Sequence, residues 1–485
     1  MTELPRLKKS EKPCSSGTVW LGIQPDAEVE KLFAGMPEPK EQGYRLAVGK
    51  DWVVILGKDL PGLYYGLMTF RQLIEPGGNI PSVKISDWPD LPLRGTYIAE
   101  DNPEKKIEYF ASLKMNFIVF EYGELYHLDN PVINARWKKI ADECRKHFIE
   151  PIPELQCFGH GHFVVATEPR CVESVYAHNI AMVVSNGNIL PLKETDQSPK
   201  VLENAIITDA APVVVTNKSG DKKYVEGNDY KVIPGDPLLT GDIWTGKPFY
   251  PTGRKATSLQ VIPGSRISEG DELLLSYNYA TPGSLSCCPS EPLYRDLMRK
   301  SIHNVVKCMK CNYIHIGHDE PQALNRDSRC MSRGLSNAEI YVDDIKRMRE
   351  YALEASPKCR IMMWDDTLNP YANAPGLQLE KAAQLLPRDI IMCTWAYGYP
   401  GDNERIQKAI DFWTKLGFDI TGSPWYNPDN ARYWAQSLIE HKDCGHIMGS
   451  FYTAWLDDKP RTWGALNDSA KYSWSGNVAS KDAQA

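Results

Sequence analysis

Eight strand-like runs separated by helical stretches constrain this chain more than any other feature. "RGTYIA" (94–99), "NFIVFEY" (116–122) and "FIEPIPEL" (148–155) are the first three. The amphipathic stretches "PEKKIEYFASLKM" (103–115) and "RWKKIADECRKH" (136–147) lie between them. After a long interruption the alternation resumes with "LYRDLMRKSIHNVVKCM" (293–309), whose Met298, Ile302, Val305, Val306 and Met309 share one helical face. Strands follow at "YIHIG", "RIMMW", "IIMCTW", "DITGSPW" and "IMGSFYTAW". Eight β/α units predict a closed (β/α)8 TIM barrel within the α/β class rather than an open sheet.

The interruption divides the chain. Residues 1–88 read as a small N-terminal α+β domain: "GYRLAV" and "WVVILG" flank a turn as a hairpin, and "PGLYYGLMTFRQLI" follows as a helix with Pro near its start. Residues 89–164 are the first part of the barrel. Residues 165–283 carry short apolar runs between Gly, Pro and Asp and read as an inserted all-β segment after barrel strand three. Its expected role is structural or oligomeric, which leaves room for a homo-oligomer. Residues 284–485 complete the barrel and a C-terminal tail.

Charge narrows the partners. The net charge is −7 and no basic block stands out, so neither nucleic acid nor a membrane surface is expected as a partner. No run of about 18 apolar residues predicts a transmembrane helix. The N-terminus lacks an apolar signal-peptide core, and the 12 cysteines show no disulfide-framework spacing. The chain as given therefore reads as cytoplasmic, with a secreted or periplasmic home if a signal was removed. Cys308 and Cys311 form one C-x-x-C without a second pair, which does not predict zinc.

Chemistry in such a barrel sits at the carboxyl ends of the strands. Strand four ends in "HIGHDE", placing His318, Asp319 and Glu320 together. Adjacent carboxylates cannot both ionise cheaply, so one is expected as an acid and the other as an anion near neutral pH. Glycosidic cleavage needs that division: a proton for the leaving oxygen and negative charge beside an oxocarbenium-like centre. Tryptophans at the strand ends suit a sugar ring. Two other classes remain open. His160 and His162, with His315, His318 and Asp319, could serve a metal-dependent barrel hydrolase. A non-catalytic carbohydrate-binding barrel would have lost its acid, and here both carboxylates are present.

"HIGHDE" resembles the H-x-G-G-D-E signature of the family 20 glycoside hydrolases, the β-N-acetylhexosaminidases, with His318 in place of the second Gly. "GKDLPGLYYGLMTFRQLI" and "ISDWPDLPLRG" resemble the end of that family's N-terminal domain and its junction with the barrel; "IPELQCFGH", "GSPWYNPD" and "AWLDD" resemble later strand ends. The resemblance covers about residues 40–165 and 285–460. It implies a retaining, substrate-assisted cleavage of terminal β-linked GlcNAc or GalNAc, with no cofactor and no metal. Glu320 would be the acid/base, and Asp319 would orient the substrate's acetamido group. By the same resemblance Glu124, His160, His318, Trp364, Trp395, Tyr426, Trp455 and Asp457 would contact the sugar. Asn102 stands where the family has a substrate-binding Arg after strand one.

Overall fold

The computed structural model describes residues 14, 16–99, 102–193, 199–239, 241, 247–377, 379, 381–455 and 460–476. Contacts divide the chain into two units: Met1–Phe120 with Lys138–Ile152 and Cys393–Ala485, and Glu121–Trp137 with Pro153–Met392.

In the first unit, β1 (Thr18–Gly22), β2 (Tyr44–Val48), β3 (Trp52–Gly57) and β4 (Lys84–Asp87) form a sheet in the order β1-β3-β2-β4. Successive side chains of a strand face opposite ways. Tyr44, Leu46, Val48, Val53 and Ile55 therefore pack against Tyr65 and Phe70 of the helix Leu60–Gln72. Ala47, Val54 and Leu56 pack against Val29 of the helix Ala27–Leu32 and Phe33 just beyond it. The larger helix starts where Asp59 caps Gly62 N–H at 2.7 Å and Pro61 occupies its first turn. Arg94 stands between the rings of Tyr65 and Trp474, 5.4 and 5.0 Å from their centroids. Its guanidinium is buried yet satisfied, donating to the carbonyls of Leu91, Pro92 and Lys114 and to Gln42 Oε1.

The barrel has the eight strands expected: β5 (Leu93–Ile98), β6 (Phe117–Glu121) and β7 (Glu150–Cys157), then β15 (Tyr313–Gly317), β16 (Arg360–Trp364), β17 (Ile391–Trp395), β18 (Asp419–Ser423) and β19 (Ile447–Thr453). They close in the order β15-β16-β17-β18-β19-β5-β6-β7. Their buried residues run almost without interruption, as parallel strands covered on both faces require. Closure between β19 and β5 depends on Gly449, which pairs with Leu93 at a φ of 149°; a Cβ there would lie 1.9 Å from the Leu93 carbonyl oxygen. Strand β7 begins two residues later than its sequence run because Phe148 takes a left-handed φ of 60°.

Among the described residues between β7 and β15 the chain builds seven strands: β8 (Val175–Ser185), β9 (Asn188–Pro191), β10 (Ala205–Ile206), β11 (Val214–Asn217), β12 (Tyr230–Ile233), β13 (Ser258–Val261) and β14 (Glu272–Tyr279). Among the described residues the strand pairs of this sheet are antiparallel, and it has its own core around Met182, Val184, Val215, Leu259, Leu273 and Leu275. No helix among the described residues is long and apolar enough to cross a membrane.

Candidate functional site

The acid pair is held by backbone geometry that ordinary residues avoid. Gly317, His318 and Glu320 have φ values of 65°, 71° and 42°, so the chain coils sharply as it leaves β15. Three groups of the second unit fix this coil. Tyr341 Oη and Thr367 Oγ1 donate to the His318 carbonyl, the latter at 3.2 Å. Glu320 N–H donates to Asp366 Oδ2 at 3.3 Å. Asn373 Nδ2 donates to the same Oδ2 at 2.7 Å and ties the loop after β16 to it. The loop after β7 closes on the coil through Gly159, where a Cβ would lie 1.6 Å from the Asp319 carbonyl oxygen.

The result brings together three of the residues expected from the sequence. His160 Nε2 lies 3.2 Å from Glu320 Oε2 and 3.7 Å from Asp319 Oδ2. Hydrogen bonding to Glu320, with the Asp319 charge adding to it, pushes the His160 imidazole up to about 9, against the opposing cost of burial. The same bond holds Glu320 below its ordinary range, although the side chain is 48% exposed. Asp319 is raised, chiefly by burial, and its Oδ1 is buried without a protein partner among the described residues. Within the pair, burial favours the protonated form of Asp319, while the bond to His160 favours the anion of Glu320.

Beneath the pair, Glu154 of β7 accepts from Trp364 Nε1 at 3.1 Å and lies 3.1 Å from His315 Nδ1. Burial raises Glu154 well above its ordinary range and lowers His315 to about 3. His315 is therefore neutral near pH 7, and burial favours the protonated form of Glu154. Asp366, also fully buried, is pushed up to about 8 by burial and by Asp319.

Other placements correct the expected contacts. His318 is fully buried: its ring stacks on Phe158, Nδ1 lies 3.0 Å from the Ile316 carbonyl and Nε2 lies 3.0 Å from Asp344 Oδ2. It braces the coil from behind and does not crowd the carboxylates, because the left-handed backbone turns its side chain into the barrel wall. Trp364 is likewise fully buried, as the cover of Glu154 and His315. Glu124 belongs to a 3₁₀ turn after β6, where its Oε2 accepts from Arg136 Nη1 at 2.7 Å and Trp137 Nε1 at 3.0 Å. These partners leave Glu124 as a tie between that turn and the following helix.

Trp395, Tyr426 and Trp455 lie in the first unit, within an aromatic group. Trp395 stacks on Tyr397 at 5.1 Å, and Trp455 Nε1 donates to Tyr397 Oη at 2.9 Å. Tyr97 packs on Trp455 at 4.4 Å, and Trp425 meets both Tyr397 and Tyr426 edge to face. Tyr426 N–H donates to Tyr452 Oη at 3.0 Å from a backbone φ of 40°. Asp457 lies outside the described residues.

The sequence analysis does not mark the supporting residues Tyr341, Asp344, Thr367 and Asn373. One signal existed for Asp344. It interrupts the buried face Ile340, Tyr341, Ile345 and Met348 of the helix Asn337–Ala355, and a carboxylate on such a face needs a buried partner. Asn373 lies in a loop with no local pattern to mark it.

Residues 5–88 match the domain family described as glycosyl hydrolase family 20, domain 2. A lacto-N-biosidase of Bifidobacterium bifidum is 23% identical over 136 residues, which are 25% of this chain and 12% of that relative's own length. Among solved structures, the β-N-acetylhexosaminidase of Bacteroides fragilis is similar with a TM-score of 0.56 and 13% identity, covering 95% of this chain and 87% of that one. The chitobiase of Flavobacterium johnsoniae is similar with a TM-score of 0.54 and 13% identity, covering 90% of this chain and 57% of that one. At these identities the structural likeness is one of fold.

Proposed function

We propose that this chain, which resembles the family 20 glycoside hydrolases in fold and carries a match to their second domain, is a glycoside hydrolase releasing terminal β-linked 2-acetamido sugars with retention. The observation that carries this reading is Asp319 Oδ1, a buried carboxylate oxygen without a protein partner among the described residues, one residue from a half-exposed glutamate whose Oε2 lies 3.2 Å from His160 Nε2. A buried acceptor left open is costly unless a ligand supplies a donor. The acetamido N–H of the substrate is such a donor.

In this mechanism the proton held between His160 and Glu320 passes through Glu320 to the leaving oxygen as the bond to the anomeric carbon breaks. The acetamido oxygen forms the new bond to that carbon, giving an oxazolinium ion. Asp319 accepts the N–H and offsets the positive charge. Glu320, now an anion, takes a proton from water as the water opens the ring. The named activities of the hexosaminidase and chitobiase relatives agree in substrate class.

Initial rates on aryl β-glycosides with and without the 2-acetamido group test this reading. Turnover is expected only for the 2-acetamido sugars. Equal turnover of the plain sugars would require a protein nucleophile and would sink it.

The pH profile of kcat/KM should be bell-shaped. Its alkaline limb is expected near 9, where the His160–Glu320 pair loses its proton. Its acidic limb is expected above the ordinary aspartate range, because Asp319 must ionise and is raised by burial. Stability has its own dependence: a histidine raised in the folded state stabilises it fully below about 6.5, and that contribution is lost as pH rises through about 9. A His160→Gln variant should lose the alkaline limb; a limb that stays near 9 would assign it to another group.

A further inference from the structure

The strongest feature outside the acid pair lies where the inserted sheet joins the barrel. Three segments meet there: the run before β8, the run after β14, and the short helix Ser328–Met331 beyond β15. Each contributes one buried group, Glu173, Cys288 and Cys330 respectively. The two sulfurs are 3.6 Å apart, and Cys330 Sγ lies 3.4 Å from Glu173 Oε2 and 3.2 Å from Ser290 Oγ. The potential ligand atoms of the first three residues all lie within 4.8 Å of one another.

We propose that Cys288, Cys330 and Glu173 form a structural zinc site, with Ser290 Oγ beside it at 3.2 Å from Cys330 Sγ. The distances favour a metal over a cystine. An S–S bond is about 2.05 Å long, so the sulfurs would have to close by more than 1 Å, roughly, to form one. Zinc–sulfur and zinc–oxygen bonds of about 2.3 and 2.0 Å give tetrahedral edges of about 3.8 Å between sulfurs and about 3.5 Å between sulfur and oxygen. The observed 3.6 and 3.4 Å approach both edges.

Orientation agrees with the distances. Glu173 Oε1 is held by the N–H groups of Arg326 and Asp327 at 2.8 and 3.1 Å, which aims Oε2 at the sulfurs. Hydrogen bonds to the other carboxylate oxygen fix the orientation of a ligating carboxylate in this way. Charge also balances. One dication displaces two thiol protons, which leave as 2 H⁺, so the net charge of the pocket does not change. Arg329, buried beside the cluster, is already matched by Asp327 and Glu291. Two thiolates and one carboxylate select a borderline-soft ion over calcium or magnesium. The site would staple both feet of the insertion to the turn that follows Glu320.

The test uses the full chain and does not depend on glycosidase activity. Zinc content is measured after purification in zinc-containing medium, and Co²⁺ is added to chelator-treated protein to seek thiolate-to-metal charge transfer and tetrahedral visible bands. One zinc per chain is expected. Cys288→Ser, Cys330→Ser and Glu173→Gln should each lower affinity at least about tenfold, as loss of a ligand partner does. Cys14→Ser and Cys444→Ser, at exposed cysteines, should leave the stoichiometry unchanged. Chelation should lower the thermal midpoint of the wild type and not of Glu173→Gln, which keeps an acceptor for both N–H groups. Substoichiometric zinc without cobalt charge transfer, or a Cys288–Cys330 disulfide found by peptide mapping, would overturn the assignment.

Discussion

Glu320→Gln should lower kcat by about 10²–10⁴-fold on glycosides with poor leaving groups, the usual contribution of a positioned general acid. The substitution is nearly isosteric. The Glu320 backbone stays tied to Asp366, so the coil after β15 should survive. The loss should shrink on aryl leaving groups that need no proton. A second consequence is independent of turnover. Glu320 is the largest cause of the raised His160 value, so His160 should fall from about 9 towards its ordinary range in the variant. Titration of the His160 ring by NMR reads this directly. A full kcat loss with an unmoved His160 would place the proton elsewhere.

Asp319→Asn should lower kcat by about 10²–10³-fold on 2-acetamido substrates, the scale of losing one electrostatic partner of the transition state. The open Oδ1 is buried, and an amide NH₂ turned towards a substrate N–H would repel it. Stability should move the other way. Asp319 is raised in the folded state, so folding binds its proton more tightly and stability falls as pH rises through that value. Removing the charge removes that penalty, and the thermal midpoint near neutral pH should rise. A variant that is both more stable and slower would show the strain to be functional. Unchanged turnover would end the substrate-assisted mechanism.

The legibility of this protein in its sequence follows the range of the forces involved. The barrel strands are visible because burial on both faces demands continuous apolar runs of strand length, a local property of "NFIVFEY" or "RIMMW". The hairpin and helix of the N-terminal unit are visible through alternation, a turn, and Pro in the first helical turn. The acid pair is visible because two carboxylates at the end of a buried strand have no packing purpose.

What the residues then do was decided by partners distant in the chain. Asp319 and Glu320 look equivalent in sequence. Burial raises one, and a histidine 160 residues away lowers the other. His318 adjoins the pair in sequence, but a left-handed φ turns it towards Asp344 on a later helix. Glu124 and Trp364 likewise found internal partners in Arg136 and Glu154. The sequence by itself determined which segments become strands and helices and where acidic chemistry collects, because periodicity and burial act over a few residues. The tertiary structure alone decided how the two carboxylates diverge, which histidine pairs with Glu320 and which aromatic rings are buried, because desolvation and hydrogen bonding depend on neighbours that only the closed fold supplies.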